Sequence, residues 1–328
     1  MKNQEMEAFV QAYFRGKNHA WLTGDPEHLF EWHRSHEDLI FREIPAHHKL
    51  CQARNMRTKK TSTDVAIVAF DWDEKRELAT VEVAERIQWI YRDGANYEDE
   101  ARIYRHVLEI TPYHGNWQII RCRTQVEGKH HSQSAEMIEN SLGNGGSEDE
   151  NQEFLKQNRT RKHLYDRMQV MKYAEKWWDR FNPGYRKFEV DCTNFVSQCI
   201  HAGRAPMVHM GNRSKGWWYQ HGGGANDNWS YSWSVANSLR WFLGGNGHWH
   251  ATIVEDPREL KIGDVICYDW DGDGHFTHNT VIVAFDVYNR PLVNAHTVES
   301  HRRYWEYRDS YAWTENTKYL FFQLPDQF

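Results

Sequence analysis

Cys192 stands where a helix would begin. In Asp191-Cys192-Thr193-Asn194-Phe195-Val196-Ser197-Gln198-Cys199-Ile200, a polar residue precedes apolar or cysteine residues at 192, 195, 196, 199 and 200, the spacing of one buried helical face. A thiol at such a start meets unpaired backbone N–H groups and the positive end of the helix dipole, both of which favour the thiolate. That is one way to make a nucleophile; the plainer reading of a lone cysteine is a small core residue. A nucleophile needs a base, and His278, immediately before the apolar run Thr280–Phe285, is the best placed imidazole to remove the Cys192 proton and later protonate an amine leaving group. Asn294, in the next strand-like run, could orient that ring. His296 shares its sheet face under a period of two and is the other candidate, whereas His275 lies back in a polar loop.

These groups need elements to hold them. A helix is expected from about Arg161 to Asp179, ended by Asn182-Pro183-Gly184, and the Cys192 helix follows, ending near Ala202-Gly203. Beyond a glycine-containing polar loop, Ser232 or Ser234 can cap a helix carrying Val235, Leu239 and Phe242. Runs at 264–268, 280–285, 292–296 and 319–324 read as strands. Helices followed by an antiparallel sheet make an α+β domain, able to set a helix-borne cysteine against a sheet-borne histidine. Trp217, Trp218, Tyr219 and Trp233 are expected to wall a substrate cleft in part and close the core in part. Asp269-Trp270-Asp271-Gly272-Asp273-Gly274 has the look of a calcium loop, but an EF-hand register would put Thr280 at the last ligand position, so a tight acidic turn is the better reading. No metal or other cofactor is assigned.

The first half follows a similar order. Met6, Phe9, Val10, Tyr13 and Phe14 make an apolar face on a helix reaching about Leu22, and Pro26 suits the first turn of a second through Phe30 and Trp32. Residues 44–61 read as an irregular connection. Strands follow from Thr63 onward, with hairpin connections at Asp71 to Glu77 and at His114-Gly115-Asn116. Glu82, Glu85, Glu98 and Glu100 read as solvated positions. Element order alone gives this part a loose likeness to the cone-shaped cystatin-like or nuclear-transport-factor-like domains. The expected organisation is therefore an accessory α+β domain over 1–126, a polar linker over 127–159 and a second α+β domain over 160–328. The first would position substrate or form a homodimer.

Composition narrows the function further. With 46 acidic against 40 basic residues and a formal charge of -6, no broad basic field points to nucleic acid. The five cysteines are scattered, with no CxxC pair, which argues against a disulfide framework or a thiolate zinc site. No run is long and apolar enough for a membrane span, the opening Met1–Glu7 is too polar for a secretory signal, and the expectation is a cytoplasmic protein.

The Asp191–Cys199 run, with Leu260-Lys261-Ile262-Gly263-Asp264-Val265, Tyr268–Gly274, Thr277-His278 and Leu292–Thr297 in order after it, resembles the amidase domain family related to NlpC/P60 cysteine peptidases. The resemblance covers about residues 160–325 and implies a papain-like fold. It places Cys192 at the nucleophile, His278 at the histidine and Asn294 at the third polar position; Thr277 stands where many members have aspartate. It implies hydrolysis of an amide in a peptide or cell-wall-derived fragment through an acyl-enzyme; backbone N–H groups at the Cys192 helix start could stabilise the oxyanion, and Asn182 and Tyr185 are the side-chain candidates. The contrasting expectation is a catalytically inactive papain-like module that binds peptide or glycan through the four aromatic residues.

Overall fold

Helical period at the start of the chain and two-residue alternation after it produce an α+β unit, and the same succession recurs in the second half. A computed structural model describes residues 2–35, 38–127, 163–223, 226–245 and 249–328. The chain divides into two compact units: Met1–Val126 with Val298–Trp313, and Glu127–Thr297 with Thr314–Phe328. The sequence reading carried the second domain unbroken from 160 to 328, whereas the segment Val298–Trp313 is part of the first unit. Apart from Glu127, the linker assigned to 127–159 lies outside the described residues.

In the first unit, α1 (Lys2–Thr23) buries Met6, Val10, Tyr13, Phe14 and Trp21. Gly24 ends it at φ +79, where a Cβ would lie 2.4 Å from the His48 ring. The helix expected after Pro26 is a short 3-10 turn, Glu27–Trp32, because by His33 the backbone is already extended and bridged to Ile119. The stretch 44–61, read as irregular, instead contains most of α2 (Ile40–Ala53) and the start of β1 (Arg57–Asp73). Its buried face, Ile40, Glu43, Ile44, His47, Leu50 and Cys51, has helical spacing, but Glu43 and His47 interrupt the hydrophobic pattern that would reveal it. β1, β2 (Leu78–Asp93), β3 (Asn96–Tyr113) and β4 (Asn116–Thr124) form an antiparallel meander. Val81, Val83, Ile87, Trp89 and Tyr91 of β2 face its core. The strand Glu299–Tyr304 pairs with β3 through Glu299–His301 opposite Ile103–Ala101.

In the second unit, α3 (Arg167–Trp177) starts later than expected because the Asp166 side chain caps it by accepting from the Gln169 N–H. α4 (Cys192–Ala202) buries every residue from Cys192 to Ile200. Two short ladders follow, β5 (Val208–His209) with β6 (Gly216–Trp217) and β7 (Tyr219–Gln220) with β8 (Asn228–Trp229). The helical turns α5 (Tyr231–Ser234) and α6 (Ala236–Gly244) come next. The sheet is antiparallel in the order β12 (Pro291–Ala295), β11 (His278–Phe285), β10 (Val265–Asp269), β14 (Lys318–Gln323), β9 (Thr252–Val254), with β13 being the Glu299–Tyr304 strand of the first unit.

Candidate functional site

The start of α4 is tied down by its own flanking residues. The Asp191 carboxylate accepts from the Phe188 N–H at 3.1 Å and the Asn194 amide at 2.9 Å, and its other oxygen lies 2.8 Å from His296 Nδ1. Cys192, the next residue, is 1% exposed. Burial pushes its thiol pKa up, and the backbone N–H groups of Asn279 and Thr193 with the Thr193 hydroxyl, 3.7 Å from the sulfur, only partly offset this; the Asp191 charge adds to it. The helix start thus supplies one N–H group, that of Thr193, and β11 supplies another, that of Asn279, but desolvation outweighs them.

Sheet register decides where the partner residues point. Residues directly opposite in an antiparallel pair share a face. Asn279 lies opposite Cys267 and His278 opposite Tyr268. The Asn279 amide donates to Thr193 Oγ1 at 3.1 Å and to the Ala236 carbonyl at 3.5 Å, so its face is the one covered by α4 and α6. His278 therefore projects to the other face, where its ring lies 5.4 Å from Tyr268 and stacks at 5.8 Å on Trp270. Asn294 lies opposite Val281 and so shares the helix-covered face with Asn279. His296 also faces α4, stacked at 4.1 Å on Phe195, but its Nδ1 is engaged by Asp191 and its Nε2 by the Trp177 carbonyl at 2.8 Å. The Cys192 sulfur is met by the Thr193 hydroxyl and the backbone of Asn279, and no Cys–His–Asn triad is evident among the described residues.

The other sequence candidates are accounted for by packing. Trp217, Trp218, Tyr219 and Trp233 are 0, 2, 4 and 0% exposed. Trp217 Nε1 donates to Ser197 Oγ at 3.0 Å, Trp233 Nε1 to Asn194 Oδ1 at 2.8 Å and Trp218 Nε1 to the Lys215 carbonyl at 3.1 Å, while the Tyr219 hydroxyl donates to Asp227 at 2.5 Å. These are satisfied core rings. Of the oxyanion candidates, the Asn182 amide donates to Tyr173 at 2.7 Å, and Tyr185 stacks on Trp233 at 5.9 Å. In the acidic loop, the Asp269 oxygens accept from Gly272 N at 2.8 Å, Asp273 N at 3.3 Å and Gly274 N at 2.8 Å, the arrangement of a tight turn. His275 belongs to the same loop, its N–H donating to Asp273 at 2.8 Å.

A second buried polar cluster, in the first unit, was illegible beforehand. Glu85 and Glu100 are not solvated but 0 and 2% exposed. Lys17 reaches Glu85 at 2.5 Å, and Glu98, also read as solvated, pairs with Arg54 at 2.5 Å. His47, Glu100 and Asp309 bring three donor atoms together and are the described residues that could hold a cation. The Arg102 guanidinium already occupies that position: it pairs with Glu100 and with Asp309 at 2.5 Å, and Arg303 reaches Asp309 at 2.9 Å. Tyr104 and Tyr311 hydrogen-bond Glu43 alongside. Burial lowers the His47 pKa less than Cys51 and Asp309 raise it, leaving it at about 10. The period-two pattern of β3 carries Glu100, Arg102, Tyr104 and His106 inward, a signal hidden by their charge.

Comparison with known proteins finds likenesses over the second half of the chain. Residues 164–322, just under half of the chain, match the family described as "Putative amidase domain". YhbB, an uncharacterized protein of Bacillus subtilis (strain 168), is 48% identical over 163 residues, covering 49% of this chain and 51% of that protein. YjcM, an uncharacterized protein of the same strain, is 30% identical over 129 residues, covering 37% of this chain and 28% of its own length. The chain thus spans about half the length of the first relative and less of the second. A solved structure, the intermembrane space region of chloroplast protein ARC6, aligns at TM-score 0.26 and 12% identity over 38% of this chain and 96% of its own, a likeness too low to bear on the fold. No helix among the described residues is long and apolar enough to cross a membrane.

Proposed function

We propose that the second unit is a papain-like member of the amidase family that binds a peptide or glycan without hydrolysing it, and that the first unit positions the ligand or a second copy of the chain. The observation that supports this is the state of Cys192: buried, its pKa raised by desolvation, and set against the backbone of Asn279 while the His278 ring faces away. A thiol hydrolase needs a thiolate beside an imidazole, whereas burial here works against the thiolate and the ring contacts of His278 run to Tyr268 and Trp270. The second reading, a cysteine amidase with Cys192, His278 and Asn294 in the catalytic roles, is favoured by the family match and by two N–H groups aimed at the sulfur.

Intact-protein mass spectrometry with iodoacetamide across pH separates the two. The binding reading expects Cys192 to label more slowly than a free thiol, with a rate that rises only in alkali and is the same in H278A. Fast labelling at neutral pH, confined to Cys192 and slowed by H278A in a folded protein, would replace it with the amidase.

A further inference from the structure

The segment leading into α4 and the loop at Arg213 carry cations that no acid among the described residues neutralises. The Arg186 guanidinium lies 5.3 Å from the Trp229 ring centre and that of Arg213 lies 4.7 Å from it and 5.1 Å from Tyr231. Lys187 Nζ lies 4.1 Å over Phe181. Among the described residues none of these three cations has a carboxylate within ion-pair distance, although the chain as a whole is acidic. The carboxylate nearest along β8, Asp227, is committed to its own loop, accepting from Tyr219, from Gly222 N at 2.8 Å and from Gly223 N at 3.1 Å. Exposed Glu189 is the acid nearest in sequence and makes no ion pair with them.

Two guanidiniums against one indole repel each other, and the arrangement persists because the ring faces and local hydrogen bonds hold them. Arg213 Nε donates to the Trp229 carbonyl at 2.9 Å, and the Arg186 N–H donates to the Tyr219 hydroxyl at 2.8 Å. Trp229 is only half-buried, unlike the four aromatic residues in the core beside it, and Arg186 and Lys187 are exposed. The patch is also fastened to the Cys192 helix: Asn194 donates to the Arg186 carbonyl at 3.0 Å, and Phe188, whose ring lies 5.0 Å from Trp229, donates its N–H to Asp191.

We propose that Arg186, Lys187, Arg213 and Trp229 form a recognition site for a carboxylate-bearing peptide, presented at the entrance to the Cys192 helix. The peptide part of this rests on the binding function proposed above; the preference for carboxylate rests on the patch itself. Guanidinium forks match carboxylate oxygens two at a time, a bound acid relieves the cation repulsion, and the indole offers a face to the adjoining peptide plane.

The test is fluorescence anisotropy on the full chain with fluorescein-labelled Ala-Glu-Ala bearing a free C-terminus, against labelled Ala-Gln-Ala amide. The acid peptide should bind about tenfold tighter than the neutral one, since a charged hydrogen bond is worth roughly that factor or more. Added salt and R186Q should each remove most of the difference and leave the neutral peptide unaffected. R186Q is the primary variant because its side chain is exposed; R186Q/R213Q, with folding checked by near-UV circular dichroism, should abolish the preference. Equal affinity for the two peptides, binding of neither, or an acid preference untouched by R186Q would overturn the site. The same titration on C192A keeps the two claims apart. Cleavage by wild type with an intact acid preference in C192A sinks the non-hydrolytic reading and leaves the site; no cleavage and no preference sinks the site alone.

Discussion

Two buried histidines in the first unit have opposite electrostatics, and each marks one edge of the pH range of stability. His47, beside Cys51 and Asp309, is raised to about 10. A folded-state value above the unfolded one means its contribution is complete below about pH 6.5, the ordinary histidine value, and is lost as pH rises toward about 10. His106 runs the other way: burial first, then the Lys17 charge, lower it to about 4. Its neutral ring contributes fully above about pH 6.5, and that contribution is lost as pH falls toward about 4. Thermal melts across pH should therefore show wild-type stability declining on both sides of neutrality. H47Q should flatten the alkaline side and H106Q the acid side; a wild-type profile flat from pH 5 to 9 would contradict both assignments. Neither histidine was singled out from sequence, since burial and partners such as Asp309 and Lys17, distant along the chain, share in setting them.

At the scale of the element, β11 shows why a correct strand can still misplace a side chain. The run after His278 reads as a strand and is one, and Cys192 does open a helix. Which of two adjacent residues meets that helix depends on register, and a shift of one residue exchanges the faces. Here Asn279 takes the position beside Thr193, on the face that α4 covers. N279A should cost about 1–3 kcal/mol in urea unfolding by stranding the groups that Asn279 satisfies. The conformation of β6 sets a second limit: Gly216 has φ +73, and a Cβ there would sit 1.9 Å from the Val208 carbonyl oxygen. G216A should destabilise by about 1–3 kcal/mol from backbone strain alone, and near-UV circular dichroism should report disturbed packing of the adjoining Trp217.

The whole molecule is not two sequential beads. Residues 298–313 leave the second unit's run of sequence and complete the first unit, supplying Arg303, Asp309 and Tyr311 to the cluster around Arg102 and Glu43. Arg102 and Arg303 outweigh burial and hold Asp309 well below the usual carboxylate range. Removing one partner from a buried ionic network typically costs about 3–5 kcal/mol, so D309A should fall in that range. In hydrogen exchange, D309A should deprotect amides of α2 and of β3, whose Arg102 lies 207 residues earlier in the sequence than Asp309, while amides of α4 stay protected. Uniform deprotection of both units would show that the cluster does not serve the first unit specifically.

Local spacing was enough to determine that both described units are α+β, that Cys192 begins a buried helix and that the acidic loop at Asp269 is a tight turn, and ordered motifs carried the amidase-domain resemblance over about 160–325 beside which the family match at 164–322 stands, because period and motif order are properties of neighbouring residues. It did not determine which face of β11 meets that helix, which tryptophans are core and which is rim, or that Asp309 neutralises Arg102. Those depend on strand register and on burial between residues distant in sequence, where a charged side chain such as Glu100 reads as solvated until its partner is in place.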